Sequence, residues 1–151
     1  MVYCIDPYFG THGDHIFGHG IENNIEPLYR SKPCGAKVIE LQGYSYDPKV
    51  IERLTSLLNG GKIDLLFHDG DHRYEAAKFD IETYSQFIKP DGWIAVCDWA
   101  DSTHGVSQYW PEMKKKYETY EFVIQRMPID KQKSHRWLGF YNGIGLARMP
   151  K

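Results

Sequence analysis

The chain has 151 residues, enough for one ordinary domain that buries a real core, and its 42% hydrophobic and 25% charged residues are those of a soluble globular protein. A formal charge of -2 argues against a nucleic-acid surface built on bulk charge. No run approaches the ~20 apolar residues of a membrane-spanning helix, and nothing near Met1 resembles a signal peptide.

In chain order, residues 2–5 form a short apolar strand stopped by Asp6-Pro7. Residues 8–20 carry four glycines and three histidines and read as a loop. Ile21, Ile25 and Leu28 have the spacing of a short amphipathic helix, which residues 31–35 break. Residues 37–42 form the second strand, ended by Gly43. Asp47 or Ser45 caps the next helix, with Pro48 in its first turn. Val50, Ile51, Leu54, Leu57 and Leu58 are its apolar stripe, and Asn59-Gly60-Gly61 ends it.

Residues 63–68 form the third strand. A helix over residues 73–88 is predicted to bury Tyr74, Ala77, Ile81, Tyr84 and Ile88. Lys89-Pro90-Asp91-Gly92 reads as a tight turn, and residues 93–97 as the fourth strand, closed by Asp98. A helix follows over residues 106–117, with Pro111 kinking it or marking its start. Residues 122–125 and 144–148 are the last strands, with a polar loop at 130–136 between them. Alternating strands and helices predict an α/β fold, a mostly parallel sheet with helices on both faces, ending in an antiparallel hairpin at the sheet edge. No repeat or linker divides the chain, so residues 1–151 are expected to be one domain.

Three predicted strands end in acids: Asp6, Asp69 and Asp98. In open α/β sheets ligands bind beyond the carboxyl ends of the strands. A carboxylate after the second strand of a nucleotide-binding unit accepts both hydroxyls of a ribose. Asp69, Asp71 and Asp98 could converge on Mg²⁺, which prefers oxygen ligands. The alternative is that each acid caps the turn or helix that follows. His72 lies beyond its strand, and an imidazole there suits a general base that removes a hydroxyl proton; the alternative is a backbone-bonding histidine at the helix start. His68 should point away from Phe67 and Asp69 and reads as packed rather than catalytic. The His12/His15/His19 loop lacks the helix and the acid of a metalloprotease motif, and is expected to lie over the active site and contribute to substrate binding.

Cys4, Cys34 and Cys97 have no metal-ligand spacing. Cys4 and Cys97 fall in predicted strands as small buried hydrophobes, which fits a reduced, cytoplasmic compartment. Lys114-Lys115-Lys116 reads as the solvated face of a helix. Most of the eleven tyrosines need only packing to explain them, although they could also line a site for a flat or sugar-like ligand.

The run Asp69-Gly70-Asp71-His72-Arg73-Tyr74, with Asp80, Lys89-Pro90-Asp91-Gly92 and Asp98, resembles class I S-adenosylmethionine-dependent methyltransferases. The branch is that of small-molecule O-methyltransferases with an IDGDHxY motif, related to catechol-type, macrolide-sugar and cephalosporin-tailoring enzymes. One glycine of the usual pair stands here as Asp91. The likeness extends to nearly the whole chain: VYCIDPY resembles the family's second strand, KVIELQGYS its third, GVSQYWPEM the helix after the fifth, and WLGFYNGIGLARM the last strand.

The resemblance implies a Rossmann-like fold and S-adenosylmethionine as cofactor. Asp6 is expected on the adenosyl ribose, Gly43, Tyr44 and Ser45 beside the adenine, and Asp69 at both cofactor and metal. Metal-dependent members bind Mg²⁺ through the acids at the Asp69 and Asp98 positions, and Asp71 would supply a third oxygen here, because Trp99 replaces the usual amide ligand. His72 and Asp69 are the expected catalytic pair. The acceptor is expected to be a hydroxyl of a small molecule or sugar, with neither nucleic acid nor membrane as partner and a homo-oligomer left open. The family's first strand and Gly-rich turn do not precede residue 2, so the chain is expected to be an N-terminally truncated form. The alternatives to truncation are that the strand of Asp6 pairs directly with that of Asp69, or that another chain fills the gap. Two other readings stand beside this one: a metal-dependent hydrolase using Asp69, Asp71, His72 and the His12/His15/His19 loop, and a non-catalytic fragment with an open sheet edge.

Overall fold

A computed structural model describes residues 1–6, 37–125 and 141–151 of the protein. They belong to two compact units, residues 1–60 and 61–151. In the first, strands β1 (Val2–Asp6) and β2 (Val38–Gln42) run parallel, with Val2 opposite Val38 and Asp6 opposite Gln42. Helix α1 (Pro48–Leu58) follows. Of the two candidate caps, Asp47 serves: its side chain accepts from the Lys49 amide at 2.9 Å, beside a proline already set for the first turn. Asn59 ends the helix in the left-handed region, its amide donating to the Thr55 carbonyl at 3.1 Å. Val50 and Leu54 of the apolar stripe are buried with Leu41, whereas Leu57 stays exposed at the stripe's margin.

The second unit contains β3 (Ile63–His68), α2 (Tyr74–Ser85), β4 (Ile88–Cys97), α3 (Gly105–Lys116), β5 (Glu118–Gln125) and β6 (Tyr141–Arg148). The sheet order is β3-β4-β6-β5. β3 and β4 are parallel, and β6 runs antiparallel to both β4 and β5. The result is the expected α/β arrangement, with a parallel part extended by a C-terminal antiparallel hairpin. Its core joins Ala77 and Ile81 of α2, Ile94 and Val96 of β4, Val106, Tyr109, Trp110 and Met113 of α3, and Ala147 of β6. Each aliphatic side chain so buried contributes roughly 1.5–3 kcal/mol relative to exposure. Among the described residues no helix is long and apolar enough to cross a membrane.

Several boundaries differ from the sequence expectation, among them the starts of β5 and β6, at Glu118 and Tyr141 rather than at 122 and 144. α2 stops at Ser85, and Ile88 belongs to β4, where it pairs with Ile63. The Ile63 amide draws the chain into the sheet by donating to the Phe87 carbonyl at 2.9 Å. The Lys89-Pro90-Asp91-Gly92 segment is a bulge inside β4 rather than a separate turn: Ile63 pairs with Ile88, but Leu65 already faces Trp93. A bulge tolerates both the proline, which cannot donate to a ladder, and Asp91 at a φ of 65°. Pro111 lies inside α3, six residues past its first, and so does not mark the helix start. Residues 130–136, the 21–28 helix, Cys34 and the His12/His15/His19 loop lie outside the described residues.

Candidate active site

In the first unit the parallel register brings Asp6 and Gln42 out side by side at the carboxyl end of the strands. The Gly43 amide donates to the Asp6 carbonyl at 3.0 Å. Gly43 has a φ of 144°, and a Cβ there would lie 2.6 Å from Val50 Cγ2, so glycine is required both by backbone and by the close passage of α1. Tyr44 and Tyr46 stack with ring centres 5.0 Å apart, and the Asp47 amide closes a turn onto the Tyr44 carbonyl at 3.0 Å. Asp6, Gly43, Tyr44 and Ser45 therefore share one strand-end edge, as expected.

In the second unit His68 pairs with Val96, so the chains leaving β3 and β4 do so at one edge, carrying Asp69 and Asp98. His72 stands between these acids. Its Nε2 is 3.4 Å from Asp69 Oδ1 and its Nδ1 is 3.8 Å from Asp98 Oδ2. Contact with Asp69, followed by the charge of Asp98, raises the imidazole above its ordinary value despite partial burial. The same contact holds the Asp69 carboxyl below the usual carboxylate range. Asp98 adopts a φ of 57°, an uncommon conformation for a non-glycine residue that costs on the order of 1–3 kcal/mol and is held by its surroundings. Burial first, then the charges of Asp69 and Asp98, push the Cys97 thiol up to about 12. It is thus a neutral thiol, not a nucleophile.

Asp71 points elsewhere. The Arg73 guanidinium holds its carboxylate, with Nε 2.8 Å from Oδ2 and 3.0 Å from Oδ1, and the Arg73 amide adds a bond of 3.0 Å. This pairing lowers the Asp71 carboxyl below its ordinary value. Among the described residues, the groups whose donor atoms lie within 4.8 Å of one another are Asp69, Cys97 and Asp98, and His72, Asp98 and His104. The structure brings Asp69 and Asp98 together and leaves Asp71 outside their set. His68 is packed, as its strand position implies: it is 5% exposed, with Nε2 3.5 Å from Asp80 Oδ2, while neighbouring Phe67 is 54% exposed.

His104 was not among the residues singled out from the sequence. The chain after β4 folds back through Asp101, whose carboxylate accepts from the Thr103 amide (2.8 Å) and hydroxyl (2.6 Å). This turn sets the His104 ring 4.8 Å from that of His72. Gly105 then packs so closely that a Cβ would lie 2.0 Å from the Tyr74 amide nitrogen. The one sequence signal for this contact is the His-Gly pair at the mouth of the helix, which gains meaning only once the partner backbone is known.

The family model for a methyltransferase domain matches residues 1–99. The chain belongs to this methyltransferase-domain family. An uncharacterized protein of Acanthamoeba polyphaga mimivirus is 33% identical to it over 98 residues, which are 60% of this chain and 43% of the viral protein. Among solved structures, the O-methyltransferase TomG from Streptomyces achromogenes, in complex with SAM and involved in tomaymycin synthesis, superimposes with a TM-score of 0.47 at 16% identity, over 76% of this chain and 50% of its own. An O-methyltransferase from Bacillus cereus in complex with SAH gives a TM-score of 0.47 at 15% identity, over 75% of this chain and 50% of its own. This methyltransferase-domain chain therefore spans half or less of the length of each of these three proteins.

Proposed function

We propose that the chain carries out S-adenosylmethionine-dependent methylation of a hydroxyl group on a small molecule or sugar. Membership in the methyltransferase-domain family supports the reaction class. The observation that carries the choice of a hydroxyl acceptor is His72 held between Asp69 and Asp98 at a strand-end edge.

The first unit supplies groups suited to the cofactor. The Asp6 carboxylate would accept the paired ribose hydroxyls, and Gly43 to Ser45 would flank the adenine. When bound, the cofactor supplies an electrophilic methyl group on a sulfonium. In the second unit His72 would take the acceptor hydroxyl proton as the C–O bond forms and the S–CH₃ bond breaks, with the bonding pair leaving on sulfur. Asp69 and Asp98 would stabilise the imidazolium that results and hold the ring in place. Proximity and orientation would supply most of the remaining acceleration.

Among the described residues Asp69 and Asp98 are the carboxylates that would hold Mg²⁺, an ion that keeps several waters and takes one or two carboxylates from protein. Asp71 is bonded to Arg73 and would not join them. When bound, the ion would lower the pKa of the acceptor hydroxyl as a Lewis acid; removal of the proton is assigned to His72.

Transfer of a labelled methyl group from S-adenosylmethionine to a panel of catechols, flavonoids and sugars tests the reading. His72→Gln should lower kcat by roughly 10²–10⁴-fold, the usual contribution of a positioned general base, with cofactor affinity unchanged. Equal turnover by His72→Gln and the parent protein would contradict the role given to His72.

A further inference from the structure

We infer that His72, Asp98 and His104 form a binding site for a divalent transition-metal ion of the Zn²⁺ or Co²⁺ type, distinct in donors and in preferred ion from a carboxylate Mg²⁺ site. This inference goes beyond the proposed methyl transfer and does not depend on it.

The three residues present one donor atom each, all within 4.8 Å of one another. Bonds of about 2.1 Å from a central ion place neighbouring donors roughly 3–4 Å apart, so small side-chain rotations close the set. Two imidazoles and one carboxylate make a donor set suited to a first-row transition metal with open positions, whereas all-oxygen sets suit Mg²⁺.

A second observation points to a ligand. His72 Nε2, Asp98 Oδ1 and His104 Nδ1 are each shielded from solvent and have no hydrogen-bond partner. The nearest acids stand off, with Asp69 Oδ1 3.4 Å from His72 Nε2 and Asp101 Oδ2 3.9 Å from His104 Nδ1, both longer than a well-formed hydrogen bond. Leaving a buried polar atom unpaired costs about 1–3 kcal/mol. All three side chains of the set thus carry a shielded polar atom without a protein partner.

The fold builds this proximity. The close approach of Gly105 to the backbone of Arg73 and Tyr74 fixes the adjacent His104 beside His72. An ion bound here takes up the imidazole that would otherwise accept a proton. Ion-loaded and ion-free forms therefore differ at the base.

Cobalt titration of the full chain, after chelator treatment and without cofactor or acceptor, tests the site by visible d–d absorption. The expected result is saturation at one ion per chain, displacement by Zn²⁺, and no displacement by excess Mg²⁺. His104→Ala and His104→Gln should each weaken Co²⁺ binding by more than the roughly 10–100-fold that loss of an outer-shell partner costs, with far-ultraviolet circular dichroism unchanged. Two folded variants that keep the parent spectrum and affinity would overturn the assignment, as would displacement of Co²⁺ by Mg²⁺ or the absence of a d–d band in the parent. Because no cofactor is present, the outcome is independent of whether the chain transfers methyl groups.

Discussion

The backbone amide of Val106 donates to the carbonyl oxygen of His72 at 3.0 Å. This bond ties the first turn of α3 to the loop leaving β3, so the candidate base is located by two elements rather than one. Gly105 makes the approach possible. A methyl group at Gly105 would overlap the Tyr74 amide nitrogen and the Arg73 carbonyl carbon, both backbone atoms that cannot move aside like a side chain. Gly105→Ala should therefore destabilise the fold by about 1–3 kcal/mol, the range for overpacking. An unchanged urea midpoint would contradict this packing.

His72 should titrate above the ordinary ~6.5 of a histidine. Its folded value is raised, so its contribution to stability is fully present below the unfolded value near ~6.5 and is lost as pH rises through the higher folded value. Asp69 has the opposite sense: its folded value is lowered, and its contribution fades as pH falls through that value. The pair is thus most stabilising between the lowered Asp69 value and the raised His72 value. Solvent exposure of Asp69 keeps the size of the effect small. An NMR titration of the His72 ring should move to lower pH in Asp69→Asn; an unshifted midpoint would remove Asp69 as the chief cause.

Cys97 should resist alkylation. Its thiol is raised to about 12, so almost no thiolate exists at neutral pH. Iodoacetamide treatment of the folded chain, followed by peptide mass spectrometry, should leave Cys97 unmodified until denaturant is added. Rapid neutral-pH labelling of Cys97 in the folded state would show that burial and the flanking acids do not keep the thiol neutral.

The core of the second unit should respond sharply to loss of volume at β4. Ile94 is fully buried beneath α2 and α3, whereas Leu65 on β3 is 53% exposed. Ile94→Ala should cost about 2–5 kcal/mol, and Leu65→Ala should stay within roughly 1 kcal/mol of the parent. Similar losses from both, read by chemical denaturation, would contradict the assigned core face of the sheet.

Local patterns carried the fold because apolar spacing and caps act within a few residues. Asp47-Pro48 and Asn59-Gly60 bracket α1 as their chemistry requires, and the acid-ended strands are where the sequence suggests. The end of α2 was not legible. Ile88 continues the helical spacing of Ile81 and Tyr84, yet pairing with Ile63 draws it into β4. Nor could spacing reveal that Lys89-Pro90-Asp91-Gly92 bulges within a strand, since the bulge is defined by what lies opposite. Within the site, Asp69, His72 and Asp98 were legible because each ends or follows a strand. Asp71 shares that segment but is taken by Arg73, two positions away. His104 was missed because its importance comes from a long-range contact, Gly105 against Tyr74, that leaves no periodic trace.

The central claim, that this chain uses S-adenosylmethionine, is tested most directly by calorimetric titration of the cofactor into the parent chain and Asp6→Ala. Hydrogen bonds to a charged group are worth about 1.5–3 kcal/mol. The account therefore predicts saturable one-to-one binding by the parent and roughly 10–100-fold weaker binding by folded Asp6→Ala. Absence of binding by the folded parent chain, or equal affinity in the two proteins, would contradict it.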